Sequence, residues 1–576
     1  MGHSHRHDAL RALPTERRRR ITHRAVPLIA IALVALVVGV VVGAGGQSDA
    51  ERTATSFTHA WERHDYPAMY HLLSGGARDA VSIGAFERAY KEAGATATAV
   101  SLRAGKAHDA SGGARVPLAI STRLFGVIRA QLVLPIDGDR VAWDRHLVFP
   151  GLAKGESLTR RTVAPPRGRI LARRGQVLAQ GPAAQRTSPL GPLGASIAGV
   201  VGQPKTQAER DATFARGFPP GTPVGLNGLE RIFETRVAGR PGGTLFAGNR
   251  PIARSRPVAT GPVRTTIDVK IQAAAVQALA GRYGGIAAID PRTWEVRALA
   301  GVAFSAPQPP GSTFKIVTAT AALGARAVKM TTPFPVEQKA VIEGVDLENA
   351  NGESCGGTFA TSFAESCNSV FAPLGVRVGA KRLVGMAERF GFNERPDIPG
   401  ALPSTLPQPD AVGGPLAVGA TAIGQGKVLA TPLEFATIAA TIADNGVRRA
   451  PTLLPEARIA PATRVTSRKI ARQVEKLMIG VVQNGTGTAA SLAPTAQVAG
   501  KTGTAELVST VPRNPPSEEN TSGNKDKEKE TDAWFTGYAP VKHPKLAVCA
   551  MFVKAGAGGD VAAPAVRLVL AAGLSS

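Results

Sequence analysis

The sequence predicts a multidomain α+β protein held at a membrane by one N-terminal transmembrane helix. Three observations predict it. An uncharged apolar stretch, Ala25 to Gly46, follows the basic residues Arg17 to Arg20 and Arg24. Helical spacing of apolar residues between positions 50 and 93 then gives way to strand-like alternation up to position 148. From Thr265 to Ser576, alternating apolar strands are mixed with longer helical runs, the pattern of an antiparallel sheet covered by helices.

As a helix, residues 25–46 would run roughly 33 Å, enough to cross a bilayer. The positive charge before them places residues 1–24 in the cytoplasm as a short tail and everything after Gln47 outside the cell membrane. A cleaved signal peptide is the alternative, but its apolar region normally covers only about 7 to 15 residues. An uncleaved, single-pass anchor is therefore the expectation. The remaining length is divided into expected domains at 47–150, 151–262 and 263–576. The formal charge of +25 suits an anionic wall or membrane surface. No nucleic-acid motif accompanies it, so nucleic acid is not an expected partner. The ten histidines show no ligand spacing, and neither a metal nor another cofactor is expected.

Ala50 to His64, Tyr66 to Leu73 and Ser82 to Ala93 carry the first helices, with Gly94 placed as a C-cap. Val116 to Ser121 and Val127 to Leu134 alternate as strands. The stretch Phe57-Thr58-His59-Ala60-Trp61, with Tyr66 and Leu72-Leu73 after it, resembles the NTF2-like domain of certain class B penicillin-binding proteins, which implies a spacer role. Residues 151–262 are rich in Gly, Pro and Arg. Within them Arg167-Gly168-Arg169-Ile170, Gly175 to Ala179 and Gly228-Leu229-Glu230 resemble the pedestal, or dimerisation, domain of the same enzymes. That family usually carries an acidic residue near position 172. Ala172 stands here, so different internal salt bridges are expected.

In the last domain, Gly285 to Asp290 and Glu295 to Ala300 form a hairpin around Pro291-Arg292-Thr293. Family members commonly have Gly where Trp294 stands, which leaves the turn type open. Gln497–Leu507, Ala533–Tyr538 and Leu546–Val553 complete a five-stranded antiparallel sheet, and a helix from Ala562 to Ala572 covers one face. The segment Pro512 to Thr531 is too polar to bury apolar surface and reads as a mobile loop over a rim, or as a regulatory contact.

Three motifs carry chemistry: Ser312-Thr313-Phe314-Lys315, Ser366-Cys367-Asn368 and Lys501-Thr502-Gly503-Thr504. Each alone is weak, since Ser522-Gly523-Asn524-Lys525 also fits the first pattern inside a charged run. Context separates them. Ser312 follows Pro309-Pro310-Gly311 and opens an apolar helical run, so Lys315 lies one turn on and within reach as a base. Ser366 lies in a helix-turn-helix pattern and Lys501 in an alternating strand. A phosphate-loop reading of Gly500-Lys501-Thr502 fails because position 495 is Thr rather than Gly. With Gly424-Gln425-Gly426 and Asp532-Ala533-Trp534-Phe535, the set resembles the signature of penicillin-recognising serine acyltransferases, within a class B penicillin-binding protein.

The resemblance implies a serine-type D-Ala-D-Ala transpeptidase that cross-links peptidoglycan stem peptides and is acylated by β-lactams. Ser312 would be the nucleophile, Lys315 its base and Ser366 a proton relay. Asn368 would hold Lys315 and the substrate amide, while Lys501, Thr502 and Thr504 grip the carboxylate beside Gly503. It also implies a membrane glycosyltransferase of the shape, elongation, division and sporulation family as a partner. A D,D-carboxypeptidase, a β-lactamase or a non-catalytic penicillin-binding sensor could use the same triad. The anchor and the two preceding domains argue against the first two, and a tail of 24 residues is too short for a sensor's signalling module.

Of three cysteines, Cys549 sits in an apolar strand and reads as core. For Cys355 and Cys367 two readings stay open. They form a disulfide across a Gly-rich connection, or Cys367 packs inward while Cys355 remains an exposed thiol.

Overall fold

The computed structural model describes residues 47–455, 460–506 and 531–575. The expected tail and anchor, and the expected loop from Pro512 up to Glu530, lie outside these residues. Among the described residues no helix is long and apolar enough to cross a membrane. The chain forms two compact units, and residues 151–262 contribute to both.

The first unit begins with helices Asp49–Glu62, Tyr66–His71, Gly75–Ala80 and Ile83–Ala97. Their starts are written in the sequence. Ser48 and Glu51 form a capping box, and Asp65, Ser74 and Ser82 each accept a backbone N–H of the first turn. The helices pack on a sheet whose main path runs Ala99–Ala104, Gly113–Thr122, Gly126–Asp137, Arg140–Val141. Between them an aromatic core forms. Trp61 meets Tyr90 edge-on at 4.9 Å, and Trp143 Nε1 donates to Tyr90 Oη at 3.1 Å.

Gly94 is not the expected cap. The helix continues to Ala97 because Ala93 and Ala97 are both buried against the core. The left-handed cap falls on Thr98 instead (φ 55°), whose hydroxyl accepts the Leu124 N–H at 3.2 Å. Strands Leu158–Val163, Gly242–Ala247 and Arg250–Ser255 form a separate three-stranded sheet, and Leu245 and Ala247 join the core of this unit.

The second unit opens with a small sheet in which Val263–Arg264 runs parallel to Ile170–Leu171. Close by, Glu230 is completely buried and accepts from Arg167 Nε and Arg186 Nε, each at 2.7 Å. Arg167 also donates to Glu234 at 2.7 Å. The ion pairs of this region thus gather on Glu230 rather than on position 172, where Ala172 is buried.

The large sheet is fully antiparallel, in the order Glu295–Gly301, Gly284–Asp290, Leu546–Phe552, Thr531–Ala539, Ala499–Glu506. Helices Val269–Leu279 and Ala562–Leu574 pack on one face with Ile286 and Ala288. Helix Pro432–Ala443 packs on the other with Ala287 and Ile289. Burial on both faces explains why Leu546–Phe552, Cys549 included, is an unbroken apolar run. At the hairpin turn Trp294 takes a left-handed φ of 60° while 2% exposed. The turn keeps the conformation that a glycine would favour, and the indole's burial offsets the backbone cost.

Candidate active site

Ser312 lies in a 3₁₀ turn, Gly311–Phe314, which feeds the buried helix Lys315–Gly324. The turn comes so near the strand Ala499–Glu506 that side chains are excluded. A Cβ on Gly311 (φ 52°) would stand 2.5 Å from Thr504 O, and one on Gly503 would stand 2.7 Å from Pro310 O. These two glycines let the first and third motifs touch.

The second motif joins helix Phe359–Ala364 to helix Asn368–Val378. Ser366 occupies the corner with φ 67°, a left-handed conformation uncommon for serine. Cys367 holds the corner from behind: its N–H donates to Ser362 O at 2.9 Å, and its sulfur is bonded to Cys355, with the Cα atoms 5.5 Å apart. Of the two readings for these cysteines, the structure contains the disulfide.

All eight motif residues singled out in the sequence meet here. Lys315 Nζ lies 2.9 Å from Ser312 Oγ, 2.7 Å from Asn368 Oδ1, 2.6 Å from Ser366 O and 3.3 Å from Ser366 Oγ. Lys501 Nζ reaches Ser366 Oγ at 2.9 Å and Thr502 Oγ1 at 3.3 Å. Asn368 Nδ2 donates to Glu348 O at 2.7 Å, which orients its amide so that Oδ1 faces Lys315. Thr504 Oγ1 accepts the Gly558 N–H at 3.3 Å.

Both lysines are fully buried. Burial, and then the positive charge of Lys501, hold the Lys315 amine well below its ordinary value. Burial alone lowers Lys501 to about 7. A neutral Lys315 has a lone pair to accept the Ser312 proton, while a charged Lys501 can polarise Ser366 and hold an anion. The arrangement can therefore activate a serine nucleophile, shuttle a proton through Ser366 and bind a carboxylate.

Two residues escaped the sequence reading. Asn349, 5% exposed, receives the Ser369 N–H at 2.9 Å and donates to Glu337 O and Glu353 O, tying the second motif to the segment before it. Thr486 lies 2.5 Å, oxygen to oxygen, from Thr502. Gly485-Thr486-Gly487, directly after a long helical pattern, is the signal that could have pointed to the second. Nothing local marks the first.

The chain belongs to the penicillin-binding protein transpeptidase family. Residues 284–571, half of the chain, match the family described as penicillin binding protein transpeptidase domain, and residues 49–156 match the NTF2-like N-terminal transpeptidase domain. Among particular relatives, it is 32% identical over 420 residues to peptidoglycan D,D-transpeptidase PbpA of Mycobacterium tuberculosis, covering 61% of this chain and 77% of that protein. It is 26% identical over 442 residues to peptidoglycan D,D-transpeptidase MrdA of Acinetobacter baumannii, covering 66% of this chain and 64% of that one. The penicillin G acyl-enzyme of penicillin-binding protein A from M. tuberculosis is similar with a TM-score of 0.55 and 26% identity, over 71% of this chain and 99% of that one. Pseudomonas aeruginosa PBP2 in complex with WCK 5153 aligns with a TM-score of 0.58 and 25% identity, over 72% and 96%.

Proposed function

We propose that this protein is a peptidoglycan D,D-transpeptidase that works through a serine acyl-enzyme on Ser312 and is acylated by β-lactams at the same atom. One observation carries this reading: two buried lysines from different motifs converge on Ser366, and one of them also touches Ser312. The names of the relatives, and the acyl-enzyme formed by one of them, support it.

Ser312 Oγ attacks the carbonyl carbon of the penultimate D-alanine, and its proton passes to Lys315 Nζ. The C–N bond to the last D-alanine breaks, and the proton now on Lys315 passes through Ser366 Oγ to the leaving amine. Lys501, Thr502 and Thr504 hold the terminal carboxylate beside Gly503. The backbone N–H groups of Ser312 and Thr504 serve as the oxyanion hole, worth about 3 to 4 kcal/mol per donor. A stem-peptide amine from a second strand then takes the acyl group. In a β-lactam the broken C–N bond stays tethered, so the leaving amine blocks that second step.

Residues 25–46 anchor the protein in the cell membrane with the N-terminus inside, residues 151–262 contain a pedestal, and the peptidoglycan glycosyltransferase that makes the donor strand is the partner. The basic residues before the apolar stretch support that orientation.

The deciding assay incubates the full-length protein in detergent with lipid-linked substrate, a glycosyltransferase and fluorescent penicillin. Cross-linked dimers that disappear on penicillin labelling are expected. Release of D-alanine without dimers would make it a carboxypeptidase, and absence of labelling would overturn the acyl-enzyme. Protease added to wall-stripped cells should digest the catalytic domain; its protection would overturn the topology.

A further inference from the structure

We infer that Thr486, which no motif contains, is a positioning residue that aims the hydroxyl of Thr502 at the substrate carboxylate. The inference rests on the transpeptidase reading above and assigns a new part to its carboxylate site.

Thr486 lies in the turn after helix Arg468–Asn484, wedged between two motifs. Its N–H donates to Ala364 O at 3.2 Å, at the end of the helix that leads into Ser366. A Cβ on the preceding Gly485 would stand 2.2 Å from that same carbonyl, so the turn is held close to the helix end. Its Oγ1 lies 2.5 Å from Thr502 Oγ1 and 3.4 Å from Ala364 O.

The direction of the protons follows from what each group can do. A charged Lys501 can only donate, so Thr502 Oγ1 accepts from it at 3.3 Å. If Thr486 also donates, both lone pairs of Thr502 Oγ1 are used, and its single proton is left for an incoming acceptor. If Thr502 donates to Thr486 instead, that proton is spent internally. The Thr486 proton then falls to Ala364 O, a long contact to a carbonyl that already accepts the Thr486 N–H. The two orientations exchange by rotating two hydroxyls. An anion beside Thr502 selects the first, because only that one offers it a proton. Lys501 and Thr486 both donating to one oxygen also polarise that hydroxyl and strengthen the bond it gives. Thr504, two positions along on the same face of the strand, needs no such help: its oxygen accepts the Gly558 N–H, and among the described residues nothing takes its proton.

The test compares acylation by two thioesters, an N-acyl-D-alanyl thioglycolate, whose leaving group bears a carboxylate, and its methyl ester, which has none. For Thr486→Val the rate ratio of acid to ester is expected to fall about threefold, because Thr502 keeps its bond to the carboxylate but loses the donor that orients and polarises its hydroxyl. Thr486→Ser should restore it, and Thr486→Ala replaces the valine variant if that one melts early. The double variant Thr486→Val/Thr502→Val should have the same ratio as Thr502→Val alone, because the effect passes through Thr502. Equal losses on both thioesters, or independent effects in the double variant, would overturn the inference. If the unaltered protein forms no acyl-enzyme with either thioester or with penicillin, the transpeptidase reading itself fails, and this inference with it.

Discussion

Lys501 Nζ stands 2.9 Å from Ser366 Oγ, across 135 positions of sequence, and Ser366 Oγ is in turn 3.3 Å from Lys315 Nζ. One hydroxyl lies between two buried amines, and both cannot stay charged at little cost. Lys315 is held well below its ordinary value by burial and by Lys501, which assigns the proton to Lys501 and the lone pair to Lys315.

That division predicts the pH profile of acylation by penicillin in the free enzyme. The rate should rise as Lys315 loses its proton and fall as Lys501 loses its own near pH 7. Lys501→Arg should remove the falling limb, since a guanidinium stays charged, at a lower absolute rate. A profile in the unaltered protein that climbs unbroken to pH 9 would contradict the roles assigned to the two lysines.

Ser312→Ala should abolish covalent labelling by fluorescent penicillin and leave the melting temperature within a few degrees. Ser312 donates to no cap and is half-buried in a 3₁₀ turn, so losing its hydroxyl opens no large cavity. Labelling that persists would exclude Ser312 as the nucleophile.

Breaking Cys355–Cys367 with Cys355→Ser should cost roughly 3 kcal/mol, the value for so short a loop. It should also slow acylation, because Cys367 lies between Ser366 and Asn368 and helps to hold Ser366 in its left-handed corner. Denaturant unfolding and stopped-flow acylation measure the two separately. An unchanged acylation rate would show that the corner holds without the bridge.

Glu230→Gln should destabilise by about 3 kcal/mol, because it leaves the buried Arg186 guanidinium without a carboxylate and Arg167 with Glu234 alone. Calorimetry on the full chain checks this, and a loss below about 1 kcal/mol would mean that solvent reaches the pair.

Much of the fold is legible in sequence because its signals are local. The capped helix starts at Ser48 and Ser82, and the doubly buried strand Leu546–Phe552, follow from residue type and period. So do Ser312 and Lys315, since a serine needs its lysine one helical turn away, whereas the other two motifs are legible through their resemblance to the family signature. What the residues could not supply, beyond what the resemblance implied, was which separate segments touch. The bridge between Cys355 and Cys367, the contact of Thr486 with Thr502 and the gathering of Arg167 and Arg186 on Glu230 depend on the path between the partners. Backbone exceptions were equally hidden. Thr98, rather than Gly94, ends its helix in a left-handed cap, and Trp294 and Ser366 also have positive φ. Local preference disfavours each of these, and packing or long-range bonding in the tertiary structure outweighs a backbone cost of about 1 to 3 kcal/mol. The sequence by itself determined which groups are proposed to do the chemistry. Only the tertiary structure decided how they face one another, because distance and proton direction are properties of the assembled site.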